Sequence, residues 1–204
     1  MNYLIYGLLI LFGYLYGSIP FALVIGKLFY NIDVRDYGSG NLGASNTGRV
    51  LGKKACLVVM VLDVFKSVLS VTLAYLLFHD INTLLAAGFA ANIGHCYPIF
   101  ARFKGGKAVS TFVGYLIGIS FWVYHDPLFF IIPVGIALIV LYITKIVSIS
   151  SMICALSVSF YIYIKLGLSP TFITTFILAL FLIFRHRSNI LKLKENNENK
   201  IKWM

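Results

Sequence analysis

Three short polar segments hold most of the side chains in this 204-residue chain that could do chemistry. The first reads Gly38-Ser39-Gly40-Asn41-Leu42-Gly43-Ala44-Ser45-Asn46-Thr47-Gly48-Arg49. Closely spaced glycines let backbone N–H groups converge on an anion, and Ser39, Asn41, Ser45, Asn46 and Thr47 add polar contacts. Composition alone leaves two readings, a phosphate cradle and a flexible connector. Gly38, Gly40 and Gly43 match GxGxxG and Asp63 follows twenty residues later, but a dinucleotide site needs a strand before the glycines and a βαβ unit around them. Here the segment lies between two apolar stretches, and Asp63 falls inside the second. A Walker A loop fails as well, because Gly48 to Lys54 has the wrong spacing and Lys54 stands where the hydroxyl belongs.

The second segment, Lys104-Gly105-Gly106-Lys107, immediately precedes another apolar run. A helix N-terminus there would favour an anion through its unpaired N–H groups and dipole, and a lysine beside it supplies full charge. A Gly-Gly turn between stop-transfer lysines is the plainer alternative. The third segment, Arg185-His186-Arg187-Ser188-Asn189-Ile190, follows the last apolar run. Two arginines flanking a histidine could clamp a phosphate in bidentate fashion, or form a basic membrane flank.

The elements that must position these segments are membrane helices. Sixty per cent of the residues are AVILMFWYC and mean hydropathy is +0.90, well above an ordinary soluble domain. Seven spans of about 20 residues consume roughly 140, which leaves no room for a separate soluble domain. The apolar stretches fall at 3–29, 54–78, 82–101, 108–124, 127–144, 147–166 and 170–184. Asp126-Pro127 and Ser169-Pro170 read as helix starts, each an N-cap residue with proline at the first helical position. The first stretch lacks a basic leader and a small-residue cleavage pattern, so it reads as a span rather than a removed signal peptide.

Charge orients the helices. With the N-terminus outside, all but two of the 17 lysines and arginines lie in the inside segments; Lys66 falls within the second span and Lys165 in an outside turn. That asymmetry is the positive-inside pattern, and an even span count would break it. The expected fold is therefore an all-α integral membrane protein with seven transmembrane helices, N-terminus outside and C-terminus cytoplasmic. Residues 1–190 form the membrane domain and 191–204 a solvated basic tail.

The remaining titratable groups are few. Asp63 and Lys66, three apart in the second span, are expected to pair, since a lone charge there is costly. His79 and His125 fall in outside turns and read as solvated. His95 is open between a helix-packing hydrogen bond and a supporting role near the site. Cys56, Cys96 and Cys154 have no metal-ligand spacing and read as small buried residues. No histidine has Asp five positions later, which disfavours acyl-CoA chemistry through a His-x4-Asp pair. No metal and no cofactor is expected.

Taken in order, the segments resemble the acyl-phosphate-dependent glycerol-3-phosphate acyltransferases of bacterial membranes, the PlsY family. The likeness begins at Gly17-Ser18-Ile19-Pro20-Phe21 and runs through Gly38 to Asn46, Leu62-Asp63-Val64-Phe65-Lys66, Gly94-His95 to Thr111 and Ser148 to Ser151. It ends at Arg185-His186-Arg187-Ser188-Asn189-Ile190. The resemblance implies acyl transfer from acyl phosphate to the 1-hydroxyl of glycerol 3-phosphate, the first step of phospholipid synthesis, in the bacterial plasma membrane with the site facing the cytoplasm. The partners it implies are those two substrates and membrane lipid, with no nucleic acid.

Carried over by motif position, Gly38, Ser39, Gly40, Asn41, Ser45 and Asn46 line a phosphate site and Arg49 neutralises charge. Lys107, with Lys104 and the Gly105-Gly106 turn, holds the acyl phosphate or its developing oxyanion. Ser148, Arg185, His186, Arg187 and Asn189 complete the polar wall and place glycerol 3-phosphate. Ser45 stands where that family usually has Thr, and Ser67 and Ala108 where Gly is common. A small-anion transporter is the rival reading, weakened by the odd span count and the absence of a sequence repeat.

Overall fold

The computed structural model describes residues 3–201; Lys202, one of the tail cations, lies outside the described residues. The described residues form helices and connecting turns, with no strand among them. In chain order the helices are α1 Tyr3–Gly17, α2 Phe21–Tyr30, α3 Ala44–Leu51, α4 Lys53–Phe78, α5 Ile81–Cys96, α6 Val109–Ile119, α7 Leu128–Thr144, α8 Val147–Leu166, α9 Pro170–Arg185 and α10 Arg187–Lys194. Each of the seven apolar stretches is helical. Lys53–Phe78, Ile81–Ala101 and Val147–Leu166 are each long and apolar enough to cross a membrane, α1 with α2 and α9 with α10 form bent pairs that pass together, and the segments 109–124 and 128–144 are shorter apolar helices.

The chain divides into two compact units, Met1–Val123 and Tyr124–Met204. In the first, α1 packs on α5, and α4 on α5 and α6. Close backbone approach sets this packing. A Cβ on Gly13 would lie 2.6 Å from the carbonyl oxygen of Ala87, and one on Gly17 would overlap the backbone of Ala91. Two small residues four apart on each helix thus meet, the arrangement by which membrane helices gain contact where lipid supplies no hydrophobic drive.

The stretch expected as one span over 3–29 is broken. Pro20 has no N–H to continue the helix, the Ser18 hydroxyl donates to the Tyr14 carbonyl at 2.7 Å, and α2 leaves α1 at 42°. Helix α3 begins within the first polar segment, where the sequence shows no apolar stretch. At the other end of the unit the Trp122 indole donates to Thr72 Oγ1 at 2.8 Å. Asp80 caps α5, accepting from the Thr83 backbone at 2.9 Å and the Thr83 hydroxyl at 2.7 Å. Those bonds, chiefly the hydroxyl's, hold its carboxyl below the usual range.

In the second unit α8 packs against α7 and α9. Ser169 Oγ accepts from Phe172 N at 3.2 Å with Pro170 at the helix start, as the sequence indicated. The other start is displaced by one residue: α7 begins at Leu128, whose N–H donates to Asp126 Oδ1 at 2.9 Å. Helix α9 bends by 54° into α10, so α10 crosses the boundary drawn at residue 190.

Candidate active site

The first polar segment is a built loop. Its approach is fixed by Asp33, which accepts from Arg35 N at 3.1 Å, Nε at 2.9 Å and Nη2 at 2.6 Å. The Arg35 guanidinium holds the Asp33 carboxyl far below the usual carboxylate range, with Lys27 adding to the effect at 3.5 Å. Arg35 is thereby committed, and Arg49 is the exposed arginine of this loop. Gly38 and Gly40 take φ of +62° and +68°, a region where side chains are strained.

Asn46, 1% exposed, organises the loop. Its Oδ1 accepts from Ser39 N at 2.7 Å and Ser39 Oγ at 3.1 Å; its Nδ2 donates to Val34 O at 2.9 Å and Tyr37 O at 3.2 Å. Both acceptor positions and both donors of the amide are in use. Asn46 is therefore a latch in this conformation rather than an open phosphate contact. Ser45 and Arg49 are both exposed, four residues apart on α3, which puts them on one face. Helix α3 has Gly43 as its N-cap and no side-chain cap, so the Ala44 and Ser45 N–H groups at its start have no capping side chain. Asn41 is half-buried just before that start.

The second segment is held from outside. Gly105 N donates to Cys96 O at 3.2 Å and Gly106 N to His95 O at 3.1 Å. The N–H groups of Gly105 and Gly106 are thus taken by the last carbonyls of α5, and the glycines serve close approach. A Cβ on Gly105 would overlap His95 O, and one on Gly106 would overlap His95 Nε2. Lys104 is exposed and Lys107 half-buried. Lys107 lies two residues before α6, whose N-cap, Ala108, offers no side-chain acceptor. Ala108 is buried at φ +63°, which accounts for glycine's fitness at this position.

Beneath that turn lie Asp63, Lys66 and His95. The expected pair is present, with Lys66 Nζ 2.8 Å from Asp63 Oδ1. His79 and His125 are exposed as read, and Cys96 and Cys154 are buried while Cys56 is half-buried.

The second unit collects another constellation. Ser148, 3% exposed in the first turn of α8, donates its hydroxyl to Glu198 Oε1 at 3.1 Å. Asn189 Nδ2 donates to the same oxygen at 2.6 Å, and Ile201 N donates to Lys145 O at 2.8 Å. The tail keeps Lys192, Lys194 and Lys200 exposed but folds back through Glu198, the residue that sequence reasoning missed. Its only sequence signal was an isolated carboxylate among asparagines. His186, 3% exposed at the α9–α10 bend, places Nδ1 2.8 Å from Leu182 O. A carbonyl only accepts, so Nδ1 carries the proton and Nε2 of the neutral ring is the acceptor. Arg187 is exposed with its guanidinium 4.8 Å from the Phe184 ring centre, while Arg185 is half-buried. The arginines and His186 thus occupy different environments, one arginine half-buried, the other exposed and the histidine buried.

This set of polar loops on an apolar helical frame matches one family over almost its whole length. The glycerol-3-phosphate acyltransferase family profile matches residues 7–196. The chain belongs to the glycerol-3-phosphate acyltransferase family. Among relatives of that name, the Bacillus subtilis protein is 45% identical over 197 residues, covering 97% of this chain and 98% of the relative. The Geobacillus kaustophilus protein is 42% identical over 196 residues, covering 96% of each. Of solved structures, PlsY (YgiH), an integral membrane glycerol 3-phosphate acyltransferase, matches in its glycerol 3-phosphate form with a TM-score of 0.89 at 32% identity, covering 97% of this chain and 96% of that one. Its lysophosphatidic acid form matches with a TM-score of 0.87. The chain is accordingly an integral membrane acyltransferase, and the transporter reading falls.

Proposed function

We propose that this acyltransferase moves a fatty acyl group from acyl phosphate to the 1-hydroxyl of glycerol 3-phosphate at the cytoplasmic face of a bacterial plasma membrane. Seven spans with the N-terminus outside fit the helices and the one-sided cations, the bent pair α1–α2 counting as one span. Helix α7, 17 residues long, reaches about 25 Å, at the lower limit for crossing.

In this reading the substrate hydroxyl oxygen attacks the acyl carbon, the C–O bond to phosphate breaks through a tetrahedral oxyanion, and phosphate leaves. A mixed anhydride has a good leaving group, so no covalent enzyme intermediate is needed and catalysis is positioning plus charge stabilisation. Lys107, with Lys104 nearby and the first turn of α6, holds the acyl phosphate. The α3 start, Asn41, Ser45 and Arg49 receive phosphate, and Ser39 transfers its hydroxyl hydrogen bond from Asn46 to it. Ser148, Asn189, Arg185 and Arg187 place glycerol 3-phosphate. His186 Nε2 accepts from the attacking hydroxyl and orients it, while a substrate phosphate oxygen takes the proton.

The observation that carries this reading is the Gly105–Gly106–Lys107 turn packed on the end of α5 at the uncapped start of α6. Purified protein given glycerol 3-phosphate and palmitoyl phosphate is expected to release lysophosphatidic acid and phosphate, and Lys107→Ala to lose about 10²–10³ in kcat. No product from acyl phosphate would defeat the reading, and product from acyl-CoA alone would reassign the donor.

A further inference from the structure

The buried charges of α4 have no part in the roles proposed for the substrate-binding segments, although they lie in the interior where charge is expensive. Asp63 and Lys66 are each 1% exposed and His95 is 5% exposed. Lys66 Nζ makes a directed contact to His95 Nδ1 at 3.4 Å, and the Phe21 ring lies 4.9 Å from that ammonium. Asp63 Oδ1 lies 3.5 Å from Nδ1, at the limit of hydrogen-bonding range, and makes no hydrogen bond to it. An ammonium has donors and no acceptor. For Lys66 to meet Nδ1, that nitrogen must present its lone pair, and the proton of the neutral ring then sits on Nε2.

Nε2 is the end of the ring that meets the phosphate turn. A Cβ added to Gly106 would overlap Nε2 and come within 2.8 Å of Cε1 and 3.0 Å of Cδ2, so the ring edge lies flat against the glycine. The same histidine accepts from Gly106 N through its own carbonyl. The turn is thus shaped by His95 on two sides, by main chain and by imidazole.

We propose that His95 is a positioning residue, an imidazole held as the Nε2–H tautomer by the Asp63–Lys66 pair, whose edge fixes the Gly105–Gly106 turn and through it Lys107. The proposal rests on reading that turn as a substrate-phosphate site. It assigns the buried ion pair a job that an apolar replacement could not do, since a donor at Nδ1 dictates where the ring proton lies. A fixed tautomer imposed by an outer partner is how histidines are commonly oriented at working sites.

Two measurements test it. Protein labelled with [15N]histidine is expected to show His95 at pH 7 as a neutral ring protonated on Nε2, and Lys66→Met to shift that signal toward a mixture of tautomers. In kinetics, His95→Asn reaches only the Nδ1 position, whereas His95→Gln places an amide N–H near Nε2. The expected outcome is a rise of about tenfold in KM for the substrate seated at the turn in His95→Asn, with KM for the other unchanged, and recovery in His95→Gln. A wild-type ring protonated on Nδ1, or on both nitrogens, overturns the proposal even if His95→Asn fails to fold. So does a folded His95→Asn with wild-type constants, or a His95→Gln that recovers nothing. A wild-type enzyme that makes no lysophosphatidic acid from acyl phosphate would instead defeat the underlying reading of the turn.

Discussion

The two glycine-bearing loops of the first unit solve the same problem in opposite ways. The loop around Gly38 and Gly40 is stabilised from within, by one side chain of its own, Asn46, that bonds Ser39, Val34 and Tyr37. The turn at Gly105 and Gly106 leans on its neighbour, with both N–H groups given to α5 carbonyls and His95 against its face. An internally latched loop can trade one hydrogen bond for another when a ligand arrives. A turn pressed against a helix keeps its shape and presents Lys107 and the start of α6 in a fixed position.

The largest break in that comparison is expected from Gly106→Ala. The methyl group has nowhere to go without moving His95, and a displacement near 1 Å costs about 10²-fold in kcat/KM; steady-state kinetics on folded protein checks it. Asn46→Ala leaves Ser39 N, Val34 O and Tyr37 O without their partner. It is expected to destabilise by about 2 kcal/mol, seen as a fall of about 4–8 °C in Tm, with activity partly restored at high substrate because ligand can supply the missing order. If both variants lose kcat alone and keep Tm, the contrast between the loops is gone.

A smaller effect is expected in the second unit. Glu198→Ala removes the shared acceptor of Ser148 and Asn189 and raises KM for glycerol 3-phosphate about tenfold, whereas Glu198→Gln keeps an acceptor oxygen and loses less. The smallest effect is a gain. Ala108→Gly relieves a left-handed backbone beside the externally held turn and should stabilise by about 1 kcal/mol, read as a rise of about 2–4 °C in Tm with activity retained.

The features legible in the sequence obey local rules. Long apolar stretches, the Ser169-Pro170 start and the Asp63–Lys66 pair depend on residues within a few positions of one another, and all appear as helices, cap and ion pair. The break at Pro20 was signalled by the proline itself, yet the unbroken apolar run around it outweighed the signal. Helix α3 has little apolar content and owes its place to packing on α4, which no local pattern reports. The roles of Asn46 and of the glycine N–H groups turn on which hydrogen-bonding partner prevails, and spacing cannot decide that. Glu198 was hidden because its partners lie 9 and 50 residues away.

That distance has a kinetic consequence. Synthesis proceeds from the N-terminus, and domains begin to organise as they emerge. Ser148 is therefore made well before Glu198, and neither it nor Asn189 gains this acceptor until every helix from α1 to α10 has been made. A chain stopped at Lys194 would keep all ten helices of the fold and still lack the carboxylate that joins α8 to the α9–α10 bend.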